Sequence, residues 1–295
     1  MRLIILLLLL TPAAGFCQDV FYVSHIQGPV KKNMPRPVKA SKIKVDSLLK
    51  IGETIGLKDS LHFSKSTDYV SVISPTKGNF ILRADKKSVG RGAGEFVLAV
   101  NEIFVPAVKT NTMGTRSGMI SSMYDLENYL ARFTDSTRMV IAGTRKILLN
   151  GAAFPEPEAN YYFVSYNYRG ERINKKLSID KVAGKGFNLI LDRSLFRIDG
   201  KDFDPAEVSR MAFQSRDADA GTNQLLDSIS VRYADEAVLV EELRLVQRVM
   251  LLQGIKDMEE LDAGIRSHLA ANWGLVDEDD LQQLLLQVRK PQPVN

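Results

Sequence analysis

SISVRYADEAVLVEELRLVQRVMLLQG, residues 228–254, is where the chain changes from one kind of structure to another. Asp235 to Gln253 reads as one long helix, capped by Asp235 and stopped by Gly254. Its apolar residues (Val238, Leu239, Val240, Leu243, Leu245, Val246, Val249, Met250, Leu251, Leu252) lie on more than one face, so more than one neighbour should cover it. Ser228 to Tyr233, just before it, fits either a strand or the first turns of that helix. Downstream, Asp257 caps a second helix carrying Met258, Leu261, Ile265 and Leu269. Asp277 caps a third with Leu281, Leu284, Leu285 and Val288. Acids at both starts complement the helix dipole. Leu243, Val246 and Met250 form the candidate partner face: the later helices and the preceding sheet should cover them, or else an envelope protein partner or a second copy must.

Upstream the signals are those of strands. Met123 to Phe133 predicts a helix with Leu126, Tyr129, Leu130 and Phe133 on one stripe. Then Tyr161–Tyr168 and Arg172–Ile179 flank Arg169-Gly170-Glu171 as a hairpin, and Phe187–Leu191 and Ser194–Ile198 read as two strands. Asn150-Gly151 and Asp199-Gly200 are the strongest hairpin signals, because a type I′ turn needs positive φ at both central residues. Their surroundings rhyme at a distance of 49 residues, which chance recurrence of hairpin chemistry explains better than duplication. Asp204-Pro205-Ala206-Glu207 reads as a helix start.

The first hundred residues are also β-leaning. Val20 to Val30 alternates, punctuated by Gly28-Pro29. Lys31 to Lys44, with Pro35 and Pro37, reads as a loop. Tyr69–Ile73 and Asn79–Leu82 flank Pro75-Thr76-Lys77-Gly78 as a hairpin, and Phe96 to Val105 is another apolar run. Lys109 to Ser122 is polar, small and Gly-bearing and reads as a linker. The fold class is therefore α+β: two β-rich domains, 18–108 and 123–232, joined by a linker at 109–122 and followed by a helical C-terminal segment, 233–295.

Residues 1–17 have the order of a secretory signal peptide: Arg2, then the apolar run Leu3–Leu10, then a break at Thr11-Pro12 and a small-residue exit. The run falls short of the about 20 apolar residues that span a bilayer, so no transmembrane anchor is expected after cleavage. Phe16 stands where a lipidated Cys17 would need a small residue, so cleavage after Cys17 is expected and lipidation is not. The mature chain would then lie in the periplasm or outside the cell, with no cysteine and so no disulfide.

Charge is uneven. Residues 18–118 carry 16 Lys/Arg against 8 Asp/Glu, whereas 233–295 carry 6 against 12. Lys31, Lys32, Arg36, Lys39, Lys42 and Lys44 lie in one run without an acid and could hold an acidic envelope polymer, although a solvated loop is the better reading. Nucleic acid is not an expected partner, since no basic and aromatic residues interleave. Tyr161, Tyr162, Tyr166 and Tyr168 could stack on sugars; their alternation fits one face of a sheet packed on a core better.

No catalytic, metal or cofactor site emerges. His25, His62 and His268 are too far apart for ligand spacing. In DGKDFDPAE, Asp199, Asp202 and Asp204 fit a turn and a helix cap, because the glycine is misplaced for a calcium loop. Gly90-Arg91-Gly92-Ala93-Gly94 lacks the Lys-Ser/Thr ending of a phosphate loop. Glu156 and Glu158 alternate with Pro155 and Pro157, which favours an extended loop over a glycosidase pair.

Ile26-Gln27-Gly28-Pro29-Val30, then Leu49-Lys50-Ile51-Gly52-Glu53-Thr54-Ile55, then Ser71 to Leu82 with its Pro75/Gly78 turn, resemble the FecR-type β domain of extracytoplasmic bacterial proteins. The resemblance covers about residues 20–105; the prolines at 35 and 37 and Asp59-Ser60-Leu61 depart from it. It implies an envelope sensing or interaction module without catalytic residues. The expected function is thus a non-enzymatic interaction, sensing or scaffold protein of the bacterial envelope. A polysaccharide or peptidoglycan binder is the alternative, and a hydrolase with an unrecognised site comes third.

Overall fold

The computed structural model describes residues 20–33, 47–56, 59–83, 119–133, 137–154, 160–217 and 219–290. Residues 1–17, expected to be a signal peptide, the Phe96–Val105 run, Gly90–Gly94 and Glu156/Glu158 lie outside them. The chain forms two compact units, residues 1–106 and 107–295, and the fold class is mixed α+β.

The first unit is built of antiparallel strands: β1 (Phe21–Gln27), β2 (Val30–Asn33), β3 (Ser47–Leu48), β4 (Thr54–Ile55), β5 (Ser60–Phe63), β6 (Tyr69–Ser74) and β7 (Gly78–Arg83). They form two sheets, ordered β4-β1-β6-β7 and β3-β2-β5. Alternate apolar residues of both sheets (Phe21, Val23, Val30, Leu49, Val70, Val72, Phe80) share one core. Gly28-Pro29 carries the chain from one sheet to the other. Gly28 has φ +81°, and a Cβ there would meet Asp68 Oδ1 at 2.2 Å. That carboxylate is committed to the Ser64 and Lys65 backbone N–H groups. The expected loop at Lys31 is corrected here: Lys31 and Lys32 belong to β2, paired with β3 and β5. The predicted hairpin across Pro75–Gly78 forms between β6 and β7.

The second unit opens with Ile120, which bonds alongside Leu149 as a parallel bridge. The end of the expected linker, 119–122, is therefore part of the folded unit. Helix α1 (Met123–Leu130) follows, capped by Ser122. Then come β8 (Met139–Ala142), β9 (Thr144–Asn150), β10 (Asn160–Tyr168), β11 (Glu171–Lys176), β12 (Ser178–Val182), β13 (Gly186–Asp192), β14 (Arg197–Ile198), β15 (Lys201–Asp202), β16 (Arg210–Asp217) and β17 (Asn223–Ala234).

These strands make a circuit. One sheet is ordered β11-β10-β16-β17-β8 and another β12-β13-β9. Leu177 is the single residue between β11 and β12, and Gly143 the single residue between β8 and β9. At these two corners a bent strand passes from one sheet to the other, so pairing returns to its start, as in a small barrel. Among the strand pairs of this circuit, β17–β8 is parallel and the others are antiparallel. The interior holds Ile147, Leu149, Tyr162, Val164, Phe187, Leu189, Met211, Phe213, Ile229 and Val231 from all round the circuit. Leu126, Leu130 and Phe133, on or just after α1, complete this core.

Glycine is required at Gly186, where β13 begins. Its φ is +134°, and a Cβ would lie 2.0 Å from the Leu149 carbonyl oxygen. Gly186→Ala is expected to cost at least about 1–3 kcal/mol, measured as a lowered urea midpoint; an unchanged midpoint would contradict this packing.

Ser228–Tyr233 is strand: it belongs to β17, whose end pairs with β8. Asp235 then caps helix α2 (Glu236–Leu252), followed by α3 (Met258–Asn272) and α4 (Glu278–Arg289), with the predicted caps Asp257 and Asp277. The three helices share a second core of Leu239, Val240, Leu243, Ile265, Leu269, Leu281, Leu284 and Leu285 with Ala142 and Ala234. Leu275, between α3 and α4, adds a rung outside β8 through Leu275 N–H to Arg138 and Val140 N–H to Leu275. The helical segment is thereby a cap on the barrel within one unit.

Several local expectations are corrected. Asn150-Gly151 closes no hairpin. Asn150 accepts from the N–H groups of Ala152, Ala153 and Phe154 in a helical turn, and β9 pairs with the distant β13. Asp199-Gly200, at φ 49° and 77°, does form its hairpin between β14 and β15. The rhyme between the two stretches thus has no structural counterpart. Arg169-Gly170 turns β10 into β11 as predicted, at φ 50° and 87°. Residues Arg193–Phe196 form a 3-10 turn capped by Asp192, leaving only Arg197–Ile198 as strand. Asp204 caps only the 3-10 turn Pro205–Glu207. The strand β16 then takes the chain across the sheet, a role its polar residues concealed.

Candidate functional site

Three arrangements in the second unit carry chemistry. The first is a cluster around Arg145. It stands on β9 at the same parity as Ile147 and Leu149, so the strand turns it inward. Its side chain is 1% exposed. Nη2 bonds Asp277 Oδ2 at 3.0 Å, Nη1 bonds Asp280 Oδ2 at 3.2 Å, and Nε donates to the Tyr129 hydroxyl at 3.0 Å. Nη2 also donates to that hydroxyl. The partners come from α1 and from the N-cap and first turn of α4, so one guanidinium joins β9, α1 and the cap.

The electrostatics follow from burial. Burial opposes the charge on Arg145, but Tyr129 and the two aspartates outweigh it and hold its pKa above the usual arginine value. Burial raises the Tyr129 phenol despite Arg145. Burial also pushes Asp280 up to about 6 against the pull of Arg145. Two residues away, Glu278 is held down at about 2, chiefly by hydrogen bonds from Arg266, at 2.7 Å to each carboxylate oxygen.

These two acids titrate with opposite effect on stability. Between about pH 4 and pH 6 the folded chain binds a proton at Asp280 that the unfolded chain has released. The contribution of Asp280 therefore falls as pH rises through that window. Asp280 keeps 30% of its side-chain surface exposed, and solvent screening limits the size of the effect. Asp280→Asn is expected to gain stability relative to the wild type from about pH 4 to pH 6, and to hold that gain above. Glu278 behaves conversely: its contribution is complete above its ordinary value near 4.5 and is lost as pH falls toward 2. Urea midpoints of both chains across this range test the pair. A constant difference for Asp280→Asn would contradict the assignment.

The second arrangement lies between α2 and α3. Glu242 is fully buried, and its Oε1 accepts from His268 Nε2 at 2.6 Å and from Trp273 Nε1 at 2.9 Å. Asn272 Nδ2 lies 3.2 Å from His268 Nδ1 and donates to the His268 carbonyl. A proton on Nε2 and a lone pair on Nδ1 satisfy both ring nitrogens. Arg232 of β17 lies over the Trp273 ring at 4.7 Å and donates to the Asn272 carbonyl. This network fixes the register of α3 on α2. Gly264 faces Met250 so closely that a Cβ would lie 2.2 Å from Met250 Cε.

The third is an open cleft of about 520 Å³ at the seam of barrel and cap, between the Gly143 corner, the 3-10 turn after Asp192, and the start of α2. Arg193, Arg197, Tyr233, Asp235 and Glu236 line it. Its charges are already engaged. Arg197 Nε bonds Asp202 at 2.7 Å, Asp192 caps Ser194, and Asp235 caps Ala237 and Val238. Arg193 lies over the Tyr233 ring at 5.4 Å. The cleft can accept a small polar group, but it aims no unpaired charge at a reacting atom.

The residues singled out from sequence fall differently. Lys31 is exposed on β2. Lys32 is buried, donating to the Thr54 carbonyl at 2.6 Å and pairing with Asp59 at 3.0 Å. It cannot hold an outside polymer in that state. Arg36, Lys39, Lys42 and Lys44 lie outside the described residues. Tyr162 and Tyr166 are core residues, and burial pushes both phenols up to about 12. Tyr166 donates to the Leu195 carbonyl at 2.5 Å. Tyr168 packs on Phe203 at 4.2 Å, and Tyr161 turns to the other face beneath Lys176. The four rings therefore make no common stacking platform. Leu243, Val246 and Met250 are buried in the cap, so the proposed partner face is the chain's own core. His25 and His268 are buried and His62 is exposed. Among the described residues, no three His, Cys, Asp or Glu side chains are grouped to hold a metal.

The Arg145 and Glu242 groups were missed by sequence reasoning. Their signal is a charged residue on an apolar repeat: Arg145 in step with Ile147 and Leu149, Glu242 in step with Leu239 and Val246. Compared with known protein families, with curated proteins and with solved structures, the chain matches none at a significant level.

Proposed function

We propose that this chain is an exported, non-enzymatic interaction or scaffold protein of the bacterial cell envelope. The observation that carries the reading is the outer face of α2. Val238 is 53%, Leu251 49% and Leu252 61% exposed on a helix whose other side is locked into the cap. Large apolar side chains presented by a fixed element are the usual mark of a contact surface. Export rests on the order of charge, apolar run and small residues in 1–17. Among the described residues no helix is long and apolar enough to cross a membrane.

The stacking tyrosines no longer favour a glycan binder, because two of the four are core. A hydrolytic reading gains nothing from Asp192 and Asp235, whose carboxylates are occupied as caps.

The test combines the mass of the mature N-terminus with photo-crosslinking in cells from position 237, exposed on α2. The expected result is a chain beginning at Gln18 in the envelope fraction, with a discrete crosslinked adduct. Retained Met1 in the cytoplasm, or no adduct from α2, would overturn the proposal.

A further inference from the structure

The pattern on the outer face of α2 specifies more than apolarity. Val238, Leu245 and Leu252 recur every seven residues, two turns of helix apart, and so share one stripe. Leu245 is half-buried at its centre. Glu241 and Arg248 stand between these residues, also seven apart. The stripe thus reads apolar, acid, apolar, base, apolar. Its apolar residues mirror one another about Leu245, and its two charges, on either side of that residue, are opposite in sign.

That arrangement selects a partner. A parallel second copy would set Glu241 against Glu241 and Arg248 against Arg248, which is repulsive. An antiparallel copy, related by a two-fold axis at Leu245, sets Val238 against Leu252 and Leu245 against itself. It brings each Glu241 to within one residue of the level of Arg248 in the other copy, giving two opposite-charge pairs. Self-complementarity of this kind is what an isologous interface requires. Glu241 already bonds Arg244 at 2.5 Å within the helix, so the acid would lie between two guanidinium groups.

We infer that α2 is the interface of an antiparallel homodimer, with Leu245 on the two-fold axis. This rests on the reading of that face as a contact surface and names its occupant as a second copy of this chain.

Sedimentation equilibrium of the mature full chain tests it. The expected mass rises toward twice the monomer value with concentration. Glu241→Arg and Arg248→Glu should each lose the dimer, and the double variant should restore it, because the swap re-creates both pairs. Leu245→Asp should remain monomeric. Far-UV circular dichroism should be unchanged in all four, since every changed side chain lies on the outer face. A wild-type chain that stays monomeric overturns the inference, as does a dimer indifferent to the single charge changes or not recovered by the double change. A monomer that crosslinks from α2 to another envelope protein overturns the homodimer and leaves the proposed function standing. A dimer found unprocessed in the cytoplasm does the reverse.

Discussion

Arg145→Met is expected to remove about 3–5 kcal/mol of stability, the usual cost of breaking a buried ion pair from one side. The reason is what stays behind. Asp277 is 5% exposed at its side chain, and without the guanidinium its charge has no partner at Oδ2. Asp280 and the Tyr129 hydroxyl lose the same donor. The triple variant Arg145→Met, Asp277→Asn, Asp280→Asn should recover a large part of the loss, because it removes the stranded charges together and Asn still caps α4 well. Urea unfolding followed by circular dichroism measures both. A loss below about 1 kcal/mol for the single change would mean that the cluster is solvated and does not join cap to barrel.

Leu243→Asp is expected to be worse. Leu243 is fully buried at the centre of the three-helix core with Leu239, Ile265, Leu269 and Leu284. Truncation to Ala alone should cost about 2–5 kcal/mol. A carboxylate adds burial of an unpaired charge, which takes the change beyond about 4–5 kcal/mol and into the range that unfolds most domains. The chain should be insoluble or lack its helical signal. Two residues on, Leu245 is only half-buried, and Leu245→Asp should cost about 1 kcal/mol of monomer stability, well below the Leu243 change. The contrast between adjacent leucines is the sharpest check on which side of α2 faces inward. Equal effects at both positions would contradict the orientation.

The cap was the most legible part of the chain. Asp235, Asp257 and Asp277 each precede an apolar repeat of helical period, and Gly254 ends the first, so local capping and patterning agreed with the final packing. The hairpins at Pro75–Gly78, Arg169-Gly170 and Asp199-Gly200 were legible for the same reason: positive φ or a tight turn is encoded locally. Long-range partnership was not. Asn150-Gly151 has the same turn chemistry, yet β9 is paired by β13, and a turn sequence cannot say which strand will arrive. β16 was hidden because Arg210, Gln214, Ser215 and Arg216 interrupt its apolar residues, and buried Gln214 finds its partner in Ser165 across the sheet. The tyrosines gave the right periodicity and the wrong candidate site: alternation places Tyr162 and Tyr166 on one face, and the fold makes that face the interior. The Arg145 cluster spans more than 130 residues between its strand and its acids. Only the parity of an arginine among apolar residues hinted at it.

Barrel and helical cap form one cooperative unit held through Arg145. Native-state hydrogen exchange tests it most directly. Amides of α2 and α4 should share the protection of β9 and β13 in the wild-type chain, and in Arg145→Met the α4 amides should lose protection before the strands do. Cap amides that exchange independently of the strands in the wild type, or protection of α4 that Arg145→Met leaves unchanged, would contradict it.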